Sequence, residues 1–119
     1  ETLDIGHAAA TRAADLPLGT QKLLTVAVAL ATEPRLLLLD EPVAGLSHEE
    51  ATRMMTLVAT EVRKRCTVLL VEHNMRVVMS IADEILVLNF GRRIAEGSPA
   101  EVRRDPEVIR AYLGTEGHG

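Results

Sequence analysis

The sequence predicts an α/β fold in which parallel strands alternate with crossover helices and a hairpin with short helices closes the chain. Three observations predict it. Leu36-Leu37-Leu38-Leu39 and Thr67-Val68-Leu69-Leu70-Val71 are short unbroken apolar runs bounded by breakers, the pattern of strands covered on both faces in a parallel sheet. After each run, apolar residues recur at spacings of three and four, which is the helical period. Beyond Asp83 two short stretches flank Asn89-Phe90-Gly91, the pattern of a hairpin with Gly91 in the positive-φ position.

In chain order, residues 1–14 have weak helical character, and Asp15-Leu16-Pro17-Leu18-Gly19 reads as a loop. The helix that follows, about residues 20–32, is apolar almost all round (Leu23, Leu24, Val26, Ala27, Val28, Leu30), so burial on more than one side is expected. Glu33-Pro34 stops it. The first strand, about residues 35–40, ends in Asp40. Ser47 and Glu50 form a capping box, and Ala51, Met54, Met55, Val58 and Val62 continue it as a helix of about four turns. The second strand covers residues 67–71, and Met75, Val78, Met79 and Ala82 mark the next helix. Strand, helix, strand in this order is by default a right-handed crossover unit. Residues 85–88 and 92–95 form the hairpin. Ser98-Pro99-Ala100-Glu101 is a second capping box with proline at the first helical position, and Asp105-Pro106 repeats the cap with proline. Residues 115–119 read as a frayed tail.

Composition limits the function classes. A chain of 119 residues with 47% hydrophobic content can bury a core of its own. Thirteen basic against seventeen acidic residues give a net charge of −4 with no block of like charge, so no face suits a polyanion and nucleic acid is not expected as a partner. The single cysteine, Cys66, fits a reducing compartment and a small core residue. No apolar stretch approaches the roughly 20 residues that span a bilayer, and no signal sequence is recognised. A soluble, cytoplasmic protein is expected, one that can still dock on a membrane protein.

The chemistry centres on Asp40 and Glu41. Asp40 falls at the carboxyl end of a predicted parallel strand, where open α/β sheets place their ligands, and Glu41 follows on the exit turn. A carboxylate on the last strand residue can hold Mg²⁺ through its water shell, and the next can orient or deprotonate a water that attacks a phosphate. A lone Asp-Glu pair is more often only a solvated strand exit. A lone histidine such as His73 is likewise more often a surface or capping residue, and His7, His48 and His118 give it no metal-ligand spacing. The methionines are core or interface fillers at helical spacing, and Arg63-Lys64-Arg65 is a solvated helix end.

The order and spacing of "LPLGTQK", "LLLLDEP", "AGL" and "LLVEHNM" resemble the nucleotide-binding subunits of ABC transporters. "ADEILVLNFGRRIAEGSPAEV" resembles the stretch after that family's switch region, and "DPEVIRAYLG" the ending of its branched-chain amino-acid importer branch. The resemblance implies an incomplete P-loop NTPase fold and identifies the first strand as Walker B, with Asp40 near Mg²⁺ and Glu41 as the catalytic glutamate. It implies that Ala44, Gly45 and Leu46 form the D-loop, with Ala44 and Gly45 among the nucleotide-binding residues, and that His73 is the switch histidine contacting the γ-phosphate of ATP. Leu16, Gly19, Thr20 and Gln21 then belong to the signature loop that closes on a nucleotide. The implied partners are a second ATP-binding subunit in a head-to-tail dimer and transmembrane permease subunits, with the protein peripheral on the inner face of the membrane.

Two departures from the family pattern concern these loops. Where most relatives carry Leu-Ser-Gly-Gly-Gln, this chain has Leu16-Pro17-Leu18-Gly19-Thr20, so the phosphate-binding hydroxyl is replaced by a proline. Ser47 stands where many relatives have aspartate. A phosphate loop of the form Gly-x-x-x-x-Gly-Lys-Ser/Thr is also missing, since no glycine here is followed by lysine. Residues 1–14 are therefore expected to be the end of a helical subdomain and residues 15–119 the C-terminal part of the ATPase domain, inactive without the phosphate-loop half. Two rival readings are an ABC ATPase of DNA repair or translation, against which the acidic balance and the importer-like ending weigh, and a stand-alone regulatory or interaction module.

Overall fold

The computed structural model describes residues 3 and 5–113, which fall into two units dividing between Glu72 and His73. The expected tail at residues 115–119 lies outside the described residues.

In the first unit, the described residues of the weakly helical opening form two 3₁₀ turns, Gly6–Ala8 and Ala13–Asp15. Helix α1 spans Leu18–Leu30 and so begins two residues before the expected start, because Pro17 itself is the N-cap, with φ −57° and ψ 152°. Glu33 ends the helical region in the left-handed conformation, φ +53°, just before Pro34. Strand β1 (Leu36–Asp40) leads to helix α2 (His48–Leu57), which opens on the expected capping box and continues as a wider π-helical turn, Val58–Val62. Arg63 N–H donates to Val58 O at 3.1 Å across that turn, and Val58 and Val62 are among its most deeply buried side chains. Strand β2 (Thr67–Val71) pairs parallel to β1, with Leu36 opposite Thr67 and Asp40 opposite Val71. Parallel pairing follows from the crossover through α2, as the sequence order predicted.

Burial in this sheet is one-sided, which corrects the expectation of strands covered on both faces. Leu37 and Leu39 are buried, while Leu36, Leu38, Leu69 and Val71 are more than half exposed. Period two sends alternate side chains to opposite faces, and the described residues of this unit cover only one. The same holds for α1, expected to be buried on several sides: Leu23 and Val26 are buried, whereas Val28 is exposed.

The second unit is a compact α+β element. Helix α3 (Met75–Ile81) precedes an antiparallel hairpin of β3 (Ile85–Asn89) and β4 (Arg92–Gly97), then α4 (Pro99–Arg104) and α5 (Pro106–Val108), which runs on as the π-helical turn Ile109–Leu113. The hairpin turn has positive φ at both Phe90 (+50°) and Gly91 (+76°), the requirement of a type I′ turn. Only Gly91 was read from the sequence, because a phenylalanine there runs against side-chain sterics. A core of Met75, Val78, Ile85, Val87, Val102 and Val108 holds the unit together, with Tyr112 packed against it and its hydroxyl donating to Leu88 O. Ser98 with Glu101, and Asp105, cap α4 and α5 as expected.

Candidate functional site

The carboxylates are set by the sheet. Asp40 is the last residue of β1, and its partner Val71 is the last of β2, so both strands deliver their next residue at one level. Those residues are Glu41 and Glu72. Glu41 N–H extends the ladder by one bond, donating to Val71 O at 2.8 Å, and its φ of +48° then turns the chain away from the sheet. An oxygen of each glutamate lies within 4.8 Å of the other, and Glu72 Oε2 is shielded from solvent. Sequence reading did not single out Glu72. The signal was present: each glutamate is the first residue past one of two parallel strands of equal length.

From Glu41 the chain turns tightly. Ala44 N–H donates to Glu41 O at 3.2 Å and Leu46 N–H to Val43 O at 3.1 Å, with Val43 buried beneath. Gly45 takes φ +78°, a conformation only glycine adopts without cost. The loop closes on α2, where Glu50 N–H donates to Ser47 Oγ at 3.2 Å and Ser47 N–H to Glu50 Oε2 at 3.1 Å.

The residues expected in the signature loop lie at the start of α1. No side chain caps this helix, because Pro17 at the N-cap has no hydroxyl or amide to offer. Gly19 and Thr20 line a hollow of about 210 Å³ together with Pro17, Leu23, Glu50, Arg53 and Met54. The Gln21 amide donates to Ala13 O and Leu16 O, each at 3.1 Å, so it ties the preceding loop to α1. Leu16 and Gln21 are thus brought together, and the hollow joins Gly19 and Thr20 to α2.

His73 is exposed and opens the second unit. It is not the cap of α3. Asn74 is, accepting from Arg76 N–H at 3.1 Å and Val77 N–H at 3.3 Å. The imidazole therefore has no capping duty in that helix.

The donor set fits a hard cation. Glu41 and Glu72 bring carboxylate oxygens together at the carboxyl end of the parallel strands, and Asp40 ends β1 one residue before Glu41; Mg²⁺ is commonly held by one or two carboxylates with waters and substrate phosphates completing its shell. A triphosphate needs further donors, for which α1 offers its uncapped first-turn N–H groups.

Comparison with known proteins gives this arrangement its context. Residues 92–118 match a family described as branched-chain amino acid ATP-binding cassette transporter, and residues 1–79 match one described as AAA domain, putative AbiEii toxin, type IV TA system. The chain is 43% identical over 115 residues to the high-affinity branched-chain amino acid transport ATP-binding protein BraF of Pseudomonas aeruginosa, covering 96% of this chain and 45% of that protein. It is 45% identical over 105 residues to LivG of Escherichia coli K12, a protein of the same description, covering 87% and 41%. Among solved structures, the ADP conformation of MJ1267, an ATP-binding cassette of an ABC transporter, superposes with a TM-score of 0.83 at 32% identity, over 95% of this chain and 46% of that one. The chain spans less than half the length of the relatives it matches.

Proposed function

The chain belongs to the ATP-binding subunits of ABC transporters, and from that premise we propose that the whole protein hydrolyses ATP to drive import of branched-chain amino acids through a membrane permease. One observation carries the hydrolytic part: the exit of β1, where Asp40 ends a parallel strand and Glu41 follows in a left-handed turn bonded to β2. The solute is carried by the relatives' descriptions and by the match over residues 92–118.

In this reading residues 15–119 are the C-terminal part of the ATPase domain and residues 1–14 the end of its helical subdomain. Asp40 would hold Mg²⁺ through water, and the ion, when bound, offsets the charge on the β- and γ-phosphates. Glu41 orients the attacking water and takes its proton as the oxygen approaches phosphorus. His73 donates to a γ-phosphate oxygen, where negative charge is held in the transition state. Ala44 and Gly45 carry the turn that fixes Glu41. The uncapped start of α1, with Leu16, Gly19, Thr20 and Gln21, closes on the nucleotide of a second subunit in a head-to-tail dimer. No helix among the described residues is long and apolar enough to cross a membrane, so a permease would supply the spanning segments and hold this subunit at the cytoplasmic face.

The test is reconstitution of the whole protein with its permease in liposomes. Leucine, isoleucine or valine uptake that requires ATP and disappears with Glu41→Gln is the expected result. ATP turnover without uptake of any of the three would overturn the solute, and absence of turnover would overturn the ATPase reading.

A further inference from the structure

The loop that follows Glu41 and the first turn of α1 interlock through two glycines. A Cβ on Gly45 would lie 3.3 Å from Leu18 Cδ2, so the bare glycine is the socket in which the leucine sits. Reciprocally, a Cβ on Gly19 would lie 3.5 Å from Glu50 Cδ and 3.7 Å from Glu50 Oε2. That same Oε2 accepts the Ser47 N–H at 3.1 Å, so one carboxylate touches the end of the loop and the start of α1 together. Leu18 is 47% exposed, and core burial therefore does not explain its place. The loop is joined to Glu41 in turn, through the Ala44 N–H bond to Glu41 O.

We propose that Leu18 and Glu50 are positioning residues for hydrolysis, locking the loop of residues 42–47 to the start of α1 so that Glu41 keeps its orientation while the helix N-terminus closes on a nucleotide. The proposal rests on the ATPase reading above. Leu18 acts by filling the space over Gly45, and Glu50 acts by holding Ser47 N–H while its stem covers Gly19. Neither touches the reacting atoms. A misplacement of about 1 Å in a catalytic group can cost about 10²-fold in rate, so a partial loosening of this lock is expected to cost about tenfold.

The experiment uses the whole protein with two readouts. Amide hydrogen exchange at Ala44, Leu46 and Ser47 measures the lock without any need for turnover, and steady-state kinetics measures what it does. Leu18→Ala should speed exchange at Ala44 and Leu46 and lower kcat about tenfold with the KM for ATP unchanged, while Leu18→Met, which refills the space, restores both. Glu50→Ala should do the same at Ser47, and Glu50→Gln, which keeps the capping box, should restore it. Unchanged exchange in both alanine variants would overturn the lock. Faster exchange with unchanged kcat, or a kcat loss that tracks the melting temperature across all four variants, would overturn the positioning role. A wild-type protein without turnover would overturn the functional reading and the positioning role with it, and the exchange result separates that failure from failure of the lock itself.

Discussion

Glu41 and Glu72 stand side by side, an oxygen of each carboxylate within 4.8 Å of the other, because the parallel register that pairs Asp40 with Val71 releases both strands at one level. Glu41 is also held in a costly conformation. A non-glycine residue in the left-handed region gives up about 1–2 kcal/mol, and here the bond from Glu41 N–H to Val71 O at 2.8 Å helps offset it. Strain that surrounding bonds maintain at one residue points to a geometric constraint there, and the residue is the one proposed as general base.

Glu41→Gln in the whole protein should slow ATP turnover by about 10²–10⁴-fold, since it removes the base. The amide keeps the size and backbone of the glutamate, so the strand exit is unchanged and the melting temperature should be too. Phosphate release and a thermal melt on the same preparation check both. Turnover near the wild-type rate would sink the assignment of Glu41.

His73→Ala should lower turnover by about 10²-fold, the usual loss when a donor to transition-state charge is removed, and leave α3 intact. The helix is capped by the neighbouring Asn74, so Asn74→Ala is the contrasting variant. It should cost about 1 kcal/mol of stability. Helix destabilisation in His73→Ala with turnover retained would return His73 to a structural role.

Features coded locally were legible in the sequence. The capping boxes at Ser47 and Ser98, the strand ending at Asp40 and the glycine of the hairpin are each written in a few adjacent residues, and each appears as read. What depends on neighbours distant in sequence was not legible. The bare face carrying Leu38 and Leu69 depends on which residues are there to cover it, and an apolar run looks the same covered or not. Pro17 as N-cap moved the start of α1 because its ψ of 152° suits a cap while its side chain gives no capping signal. The Gln21 amide reaches back to Ala13 O and Leu16 O, contacts that no local pattern in the sequence announces. Glu72 needed the register of β1 with β2 to be noticed.

The exposed face of β1 and β2 predicts the solution behaviour of these 119 residues. Leu36, Leu38, Leu69 and Val71 lie on one face of a two-stranded sheet, an arrangement marginal on its own and an invitation to association. Sedimentation at low micromolar concentration should detect self-association of the 119-residue chain. The double substitution Leu38→Lys with Leu69→Glu, at positions that face each other in register, should shift it towards monomer. A monomer in the unsubstituted chain would refute the prediction.

Pro17→Ser tests whether the start of α1 works through its backbone. Pro17 has φ −57° and ψ 152°, close to the −65° and 164° of Ser47 and the −65° and 161° of Ser98, both of which cap a helix through their hydroxyls. A serine at 17 can therefore cap α1 without any backbone change. The new cap contributes about 1 kcal/mol, and loss of the proline's restriction on the unfolded chain takes back about 0.4–1 kcal/mol. Net stability should be level or slightly higher, so the melting temperature should rise by no more than a few degrees. If first-turn N–H groups carry the nucleotide contact, turnover of the whole protein should stay within about threefold of wild type, because a cap like those of Ser47 and Ser98 takes only the third N–H, that of Thr20, and leaves those of Leu18 and Gly19 open in place. A gain of about tenfold or more in turnover would mean that the missing hydroxyl limits the native loop, and that the N–H groups of Leu18, Gly19 and Thr20 alone do not carry the contact.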